Sequence, residues 1–261
     1  MVLKNKVALV TGSTSGIGLA IASELAQDGY HIVINGFGEA DAIEKERANI
    51  EKSYGVKCIY LGCDISKPED NEKMIKDAEA QLGSVDILVN NAGIQFTAPV
   101  EEFPIEKWNQ IISINLSGVF YGIHAALPGM KKRGYGRIVN IASAHGLVAS
   151  AHKVAYVAAK HGVVGMTKVV AIEAGESNIT CNAICPGWVE TPLAQKQVAD
   201  RAAREGRDVK DVEHEFLLDK QPNARWAQPS EIGKMVVYLV SDAARGINGS
   251  ALSIDGGWTA G

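Results

Sequence analysis

The sequence predicts an α/β fold, a doubly wound parallel sheet of about seven strands with helices on both faces. Short apolar runs alternate with helical patterns along the whole chain. The first of these runs is followed by a glycine loop that opens a helix. No linker, repeat or break in composition divides the 261 residues, so they read as one domain, long enough to bury a sizeable core.

The first strand is read at 6–11, and Gly12-Ser13-Thr14-Ser15-Gly16-Ile17-Gly18 leads from it into a helix that runs to 27. Strand, glycine loop and helix form the context that a dinucleotide needs. Glycines admit the pyrophosphate close to the backbone, and the helix N-terminus supplies unpaired N–H groups and positive potential. The spacing G-x-x-x-G-x-G departs from the best-known G-x-G-x-x-G fingerprint, so the setting carries the argument. Gly12, Thr14, Ser15, Gly16, Ile17 and Gly18 are the candidate cofactor contacts. The second strand, at 30–35, ends in Asn35-Gly36-Phe37-Gly38, where an acidic residue would normally grip the ribose of NAD. None is there; Glu39 and Asp41 come slightly late. Equally, no Arg or Lys stands ready for a 2′-phosphate, and an unpaired dianion is costly to desolvate. The balance favours NAD over NADP, with Phe37 counted among the cofactor residues.

A charged helix at 40–53 and a third strand at 57–61 follow. Asp64 then either meets the adenine amino group or caps the helix at 68–82. The fourth strand, 85–90, opens into Asn91-Ala92-Gly93-Ile94-Gln95, and Asn91, Ala92 and Gly93 would let a ligand approach closely. A long helix at about 105–132 carries Asn115 in an otherwise apolar section. A buried amide must be hydrogen-bonded, and such a residue bends a helix or anchors water.

The fifth strand, 137–142, ends at Ser143. Tyr156 and Lys160, four apart on the next helix, point the same way. A phenol with a pKa of about 10 is a poor base at neutral pH, but an ammonium one turn away favours the phenolate. A serine hydroxyl can hold a carbonyl or alcohol oxygen beside that phenol. Such a trio moves a proton on or off an alcohol, although a Tyr–Lys pair alone is as often plain surface. The sixth strand, 179–184, ends at Pro186-Gly187-Trp188. From 191 to 223 the chain turns polar and charged with helical spacing, an insertion read as a lid. A helix at 229–242 and a seventh strand at 250–254 precede Asp255-Gly256-Gly257-Trp258.

The apolar fraction of 46%, the charged fraction of 21% and the net charge of −4 are those of an ordinary globule. They give no reason to expect nucleic acid or an anionic membrane as partner. No segment is read as a membrane span of about 20 apolar residues, and the N-terminus enters a strand without a cleavage region. The expectation is a cytoplasmic protein. Cys58, Cys63, Cys181 and Cys185 lie in apolar, strand-like runs and read as buried reduced thiols; no metal is expected.

With the glycine loop, Asn90-Asn91-Ala92-Gly93, Asn115, Ser143, Tyr156-Val157-Ala158-Ala159-Lys160 and Pro186-Gly187 in this order, the chain resembles the short-chain dehydrogenase/reductase family over essentially its whole length. The resemblance implies a single Rossmann-type domain over 1–261, and a homotetramer to which helices 105–132 and 154–174 would offer apolar faces. It also implies the catalytic set Asn115, Ser143, Tyr156 and Lys160. Tyr156 would exchange the proton with substrate, Lys160 would bind the nicotinamide ribose and acidify the phenol, Ser143 would orient the oxygen, and Asn115 would hold a relay water. Pro186, Gly187, Val189 and Thr191 would complete the cofactor site, Thr191 at the carboxamide.

A closer likeness, to bacterial members that oxidise D-3-hydroxybutyrate, rests on Asn35-Gly36-Phe37-Gly38, Gly93-Ile94-Gln95, Ser143-Ala144-His145-Gly146, Lys153, Cys185-Pro186-Gly187-Trp188, Lys196-Gln197 and Asp255-Gly256-Gly257-Trp258. It implies NAD and the reversible oxidation of (R)-3-hydroxybutyrate to acetoacetate. The chemistry fits a small carboxylate-bearing alcohol or ketone. Gln95, His145, Lys153 and Gln197 would supply donors, Lys153 with a full charge, while Trp188 and Trp258 would wall off a methyl-sized group. Plainer readings exist: His145 as a loop cap, Lys153 as a solvated turn residue, Gln197 as surface. Two alternatives stand beside this one. A reductase of 3-oxoacyl thioesters or another small secondary alcohol would need a more open site, and a cofactor-sensing regulator would have no use for the full catalytic set.

Overall fold

The structure, a computed structural model, describes residues 6–260. Seven parallel strands lie in the order β3-β2-β1-β4-β5-β6-β7. They are β1 (Val7–Val10), β2 (His31–Ile34), β3 (Cys58–Tyr60), β4 (Ile87–Asn90), β5 (Gly136–Ile141), β6 (Ile179–Pro186) and β7 (Ala251–Ile254). The expected strands are all present. The sixth runs on to Pro186 because β7 pairs with it as far as Ile254. Alternate residues of β1 feed opposite cores, Val7 and Leu9 one and Ala8 and Val10 the other. A sheet covered on both faces therefore reads as unbroken apolar runs.

Helices α1 (Gly16–Gln27), α2 (Ala40–Tyr54) and α9 (Pro229–Val240) cover one face, with Ile21, Leu25, Ile43, Ile232, Val236 and Leu239 in its core. Helices α3 (Pro68–Leu82), α5 (Gly118–Arg133) and α6 (Val154–Ala174) cover the other with Met74, Ile75, Val119, Ile123 and Val163. The strand order reverses between β1 and β4, which opens a crevice at the carboxyl ends of the strands, where α/β sheets bind ligands.

The single helix expected at 105–132 is instead α4 (Ile105–Ile112), a π-helical turn (Ser113–Ser117) and α5. Asn115 lies in the π turn, fully buried, and trades two hydrogen bonds with the Ile94 backbone: its Nδ2 donates to the carbonyl at 2.8 Å and its Oδ1 accepts from the N–H at 2.9 Å. A turn of this kind inside a helix is commonest at functional sites. The run Ile105–Arg133 is long and apolar enough to cross a membrane, contrary to the sequence reading. The structure uses it as a core helix, with α5 packed on α3, β4 and β5. The insertion at 191–223 forms α7 (Pro192–Glu205) and α8 (Val209–Leu218), whose own small core holds Ala194, Val198, Ala202, Val212, Leu217 and Trp226.

A buried polar seam crosses the α6 face of the sheet. Asn90 Nδ2 donates to Asn140 Oδ1 at 2.8 Å, Asn140 Nδ2 to Thr167 Oγ1 at 2.9 Å, and Thr167 Oγ1 to the Val163 carbonyl at 2.8 Å. Unpaired buried donors cost about 1–3 kcal/mol each. Asn140→Leu, which strands the Asn90 amide, should lower unfolding free energy by about that amount. Urea denaturation measures it, and an unchanged midpoint would show that the seam does not stay dry.

Candidate active site

The glycine loop is shaped by what lies beneath it. Gly12 has φ +61°, and a Cβ there would come within 2.8 Å of Ala92 Cα. Thr11 Oγ1 accepts from the Asn91 and Ala92 N–H groups at 3.0 and 3.1 Å, and Asn91 Nδ2 donates to the carbonyls of Thr11 and Gly12 at 2.9 and 3.0 Å. Asn91 therefore fastens two loops together, and its side chain is committed to that task. Ser15 is the N-cap of α1, but its side chain makes no capping bond and no acidic residue stands in the first turn. The leading N–H groups and the positive end of the helix dipole remain for an anion.

Asn35, in the region where a ribose-binding acid would stand, turns inward instead. It is 1% exposed, donates to the carbonyls of Leu61 at 3.0 Å and Cys63 at 3.3 Å, and its Oδ1 accepts from the Gly12 N–H at 3.5 Å, so its side chain is committed to the scaffold beneath the glycine loop. Thr14 Oγ1 donates to the Phe37 carbonyl at 3.0 Å and the Tyr60 hydroxyl to the Gly36 carbonyl at 2.9 Å, which leaves the Phe37 side chain 75% exposed at the rim. Asp64 does not cap α3, whose N-cap is Lys67. Its Oδ1 accepts from the Ser66 N–H at 3.1 Å and hydroxyl at 2.6 Å, and the Ser66 hydroxyl holds its carboxyl below the ordinary value. Across the crevice, Pro186 ends β6, Val189 bridges to Ala227, and Thr191 Oγ1 caps α7 by accepting from Ala194 N–H at 3.3 Å.

The proton-handling trio does meet. Ser143 follows β5 in extended conformation, and its hydroxyl faces the Tyr156 phenol. Lys160, 4% exposed, donates from Nζ to the Ile141 carbonyl at 2.7 Å and stands 5.5 Å from the Tyr156 ring centroid. Burial dominates the phenol here. Burial holds Tyr156 above its ordinary value, more than the Ser143 hydrogen bond lowers it, and burial brings Lys160 down to about 8. The ammonium is spent on a strand-end carbonyl. Asn115, tied to Ile94, sets the course of Gly93, Ile94 and Gln95, and its amide keeps one hydrogen and one lone pair for a water.

Beside the phenol lies an aromatic wall with unpaired polar groups in it. His145 is 4% exposed and packs edge-on against Tyr156 at 5.9 Å and Trp258 at 4.9 Å. Its Nδ1 is 3.4 Å from Ser143 Oγ, and its buried Nε2 has no partner. Burial, followed by Lys153, lowers its pKa to about 4, so the ring is neutral at pH 7. Trp188 lies 5.7 Å from Trp258 and 4.5 Å from Phe216, its buried Nε1 likewise unpartnered. Lys153 Nζ sits 5.0 Å above the Trp188 ring; burial, then Lys220, brings it to about 8. Neither His145 as a mere cap nor Lys153 as a solvated residue describes this arrangement. Gln95 is exposed and Gln197, on α7, half-buried; among the described residues neither makes a side-chain hydrogen bond, and neither joins this cluster. Phe216, Lys220 and Gln221 escaped the sequence reading. Phe216 had helical spacing as a signal; the other two had none within so charged a stretch.

A doubly wound sheet with a glycine loop at its switch point and a Ser–Tyr–Lys trio across the crevice defines an oxidoreductase that uses a nicotinamide dinucleotide. A family model described as enoyl-(acyl carrier protein) reductase matches residues 12–259. The chain is 53% identical to a D-beta-hydroxybutyrate dehydrogenase of Cupriavidus necator over 99% of each chain. It is 48% identical to one of Rhizobium meliloti over 98% of this chain and 99% of that one. The solved structure of a single-substitution variant of actinorhodin polyketide ketoreductase with NADPH superposes with a TM-score of 0.90, at 37% identity and 97% coverage of both chains. The chain belongs to the short-chain dehydrogenase/reductase family.

The buried lysines set a pH dependence of stability. Lys160 and Lys153 titrate near 8 when folded and near 10.5 when unfolded, so between those values the unfolded lysines bind more protons and their contribution to stability rises with pH. From about pH 9 the four buried thiols, raised by burial, work the other way, and so does the raised Tyr156 above pH 10, because in each case the unfolded group ionises first. Between pH 8 and 10 the unfolding free energy of Lys160→Met should rise less, or fall more, than the parent's, as read by urea denaturation; an unaltered pH dependence would mean that Lys160 is not desolvated.

Proposed function

We propose that the chain is an NAD-dependent dehydrogenase that reversibly oxidises (R)-3-hydroxybutyrate to acetoacetate. The observation that carries this reading is the set of unpaired polar groups beside Tyr156: the His145 Nε2, the Trp188 Nε1 and the Lys153 ammonium, held among aromatic rings. Buried groups left without partners call for a ligand that supplies them. A short carboxylate does so, and the apolar ring faces suit its methyl end. The names of the two D-beta-hydroxybutyrate dehydrogenases support the same substrate.

NAD is favoured by the loop after β2. It presents no cation, and its Gly36 and Phe37 carbonyls are already bonded from below. Gly12, Gly16 and Gly18 with the first N–H groups of α1 would hold the pyrophosphate. Gly93, Pro186, Gly187, Thr191 and Lys160 would lie along the nicotinamide half. A nicotinamide bound there would supply the hydride acceptor for the alcohol carbon. Ser143 donates to the substrate oxygen and Tyr156 takes the hydroxyl proton, returning it in the reverse direction. The Lys160 charge, 5.5 Å from the ring, favours the phenolate as it develops. Lys153 and His145 hold the carboxylate. Trp188 and Trp258 exclude water, Gln95 lies on the loop after β4, and Gln197 approaches the substrate when α7 and α8 close.

NADH absorbance should rise with the (R)-acid and far less with its enantiomer or with longer homologues. Tyr156→Phe should lose about 10³-fold or more in kcat with cofactor binding kept. Lys153→Ala should raise KM about 10-fold or more, the worth of one charge-assisted hydrogen bond. Kinetics of Lys153→Ala equal to the parent's would remove the carboxylate from the reading.

The same reading includes a homotetramer in the cytoplasm. Phe120 on α5 and Val169 and Ile172 on α6 are exposed, Ile172 by 82%, and a second copy of the chain would cover them. All four cysteines are buried and unpaired, in keeping with a reducing compartment. Ile172→Glu should yield a smaller species in sedimentation; an unchanged mass would place the interface elsewhere.

A further inference from the structure

The insertion that carries α7 and α8 leaves the sheet after β6 and returns at 219–228, and its two stems are joined at Trp188. The Ala227 N–H donates to the Trp188 carbonyl at 2.9 Å, and the Glu190 N–H to the Ala227 carbonyl at 2.9 Å. From the same residue, the Trp188 N–H donates to Gln221 Oε1. Gln221 is 1% exposed, and its Nε2 donates to the Arg225 carbonyl at 2.6 Å. Space at this neck is tight: a Cβ on Gly187 would overlap Gln221 Oε1 and come within 2.9 Å of Asp255 Cα. Gln221 is thus a buried amide that uses both ends to tie the returning stem to the residue before the outgoing one.

What it holds is the indole of Trp188, which touches Trp258 on the substrate side and Phe216 of α8 on the other, with Lys153 Nζ above it. We propose that Gln221 is a positioning residue for substrate, which fixes the Trp188 backbone so that the wall of the site and the α7–α8 insertion keep a single register. The proposal rests on the reading of Trp188 as a substrate wall. Gln221 itself touches neither the phenol nor the cofactor loop, so its loss acts on the fit of the hydroxy acid rather than on proton transfer.

The test compares Gln221→Leu and Gln221→Glu with the parent. The leucine variant fills the space but accepts nothing from the Trp188 N–H. Its KM for 3-hydroxybutyrate should rise about 5- to 10-fold, the loss of roughly one hydrogen bond, with kcat and NADH affinity within about 2-fold. The glutamate variant, when protonated, keeps both acceptor and donor. It should match the parent at low pH; as its carboxyl ionises it still accepts from the Trp188 N–H but no longer donates to the Arg225 carbonyl, so it should depart from the parent by less than the leucine variant does. Hydrogen exchange supplies a readout independent of turnover: the amides of Glu190 and Ala227, whose own partners are untouched, should exchange at least 10-fold faster in Gln221→Leu while the amides of β6 keep their protection. Unchanged KM and unchanged exchange at Glu190 and Ala227 would overturn the proposal, as would a glutamate variant that tracks the leucine variant at every pH. Should the parent fail to turn over the hydroxy acid, the functional reading falls while the exchange result still decides whether Gln221 holds the neck.

Discussion

Where the strands of a parallel sheet end, the backbone groups of their last residues lose their ladder partners, and in this protein side chains take over. Asn35 bonds the carbonyls after β3, Thr11 and Asn91 bind the ends of β1 and β4 to each other, Asn115 holds the backbone of Ile94, and Lys160 reaches the Ile141 carbonyl. Buried N–H and C=O groups without partners are too costly to leave open. The residues that meet this need also make the crevice rigid, so satisfying the sheet and pre-organising the site are one act. Much of what sequence logic assigns to ligand contact therefore serves the scaffold. Asn91 and Thr14 shape the cofactor crevice chiefly by holding loops.

Burial is the second force, and here it works against charge. Tyr156 is pushed up, while Lys153 and Lys160 come down to about 8 and His145 to about 4. Hydrogen bonds within the protein soften the cost for Tyr156 and Lys160, whereas His145 Nε2 has no partner and Lys153 Nζ makes no hydrogen bond among the described residues. Burial gives each group a strong preference for a partner of opposite polarity, and a carboxylate placed here would raise both Lys153 and His145 toward their ordinary values. The attraction for an anion is thus built from desolvation more than from a count of positive residues, since the chain as a whole carries −4.

The strands and most helices were legible because the sheet is covered on both faces, and such strands read as plain apolar runs. Boundaries shifted by a residue or two where pairing decides them, as at Pro186. The π turn was not legible: Asn115 marked a disturbance in the helix, but its partner Ile94 lies on a loop that sequence spacing does not bring near. Asp64 looked like a helix cap because Pro68 follows closely, yet Ser66 stands nearer and takes the carboxylate first. The Tyr–Lys pair was found by its spacing, whereas the sign of its pKa shifts depends on a burial that spacing does not report. Gln221 had no signal at all. A glutamine among charged residues looks like surface until the fold closes over it.

The same contrast bears on how α7 and α8 behave. Their core of Ala194, Val198, Ala202, Val212, Leu217 and Trp226 is separate from both cores of the sheet and is made largely of small residues. A unit with so little apolar area of its own opens at a lower free energy than the strands it leans on. Its contact with the sheet runs through Trp188 and Phe216, which pack against this core from the side, and through the bonded neck beneath them. These helices and the indole that faces Trp258 therefore rest on the same few contacts.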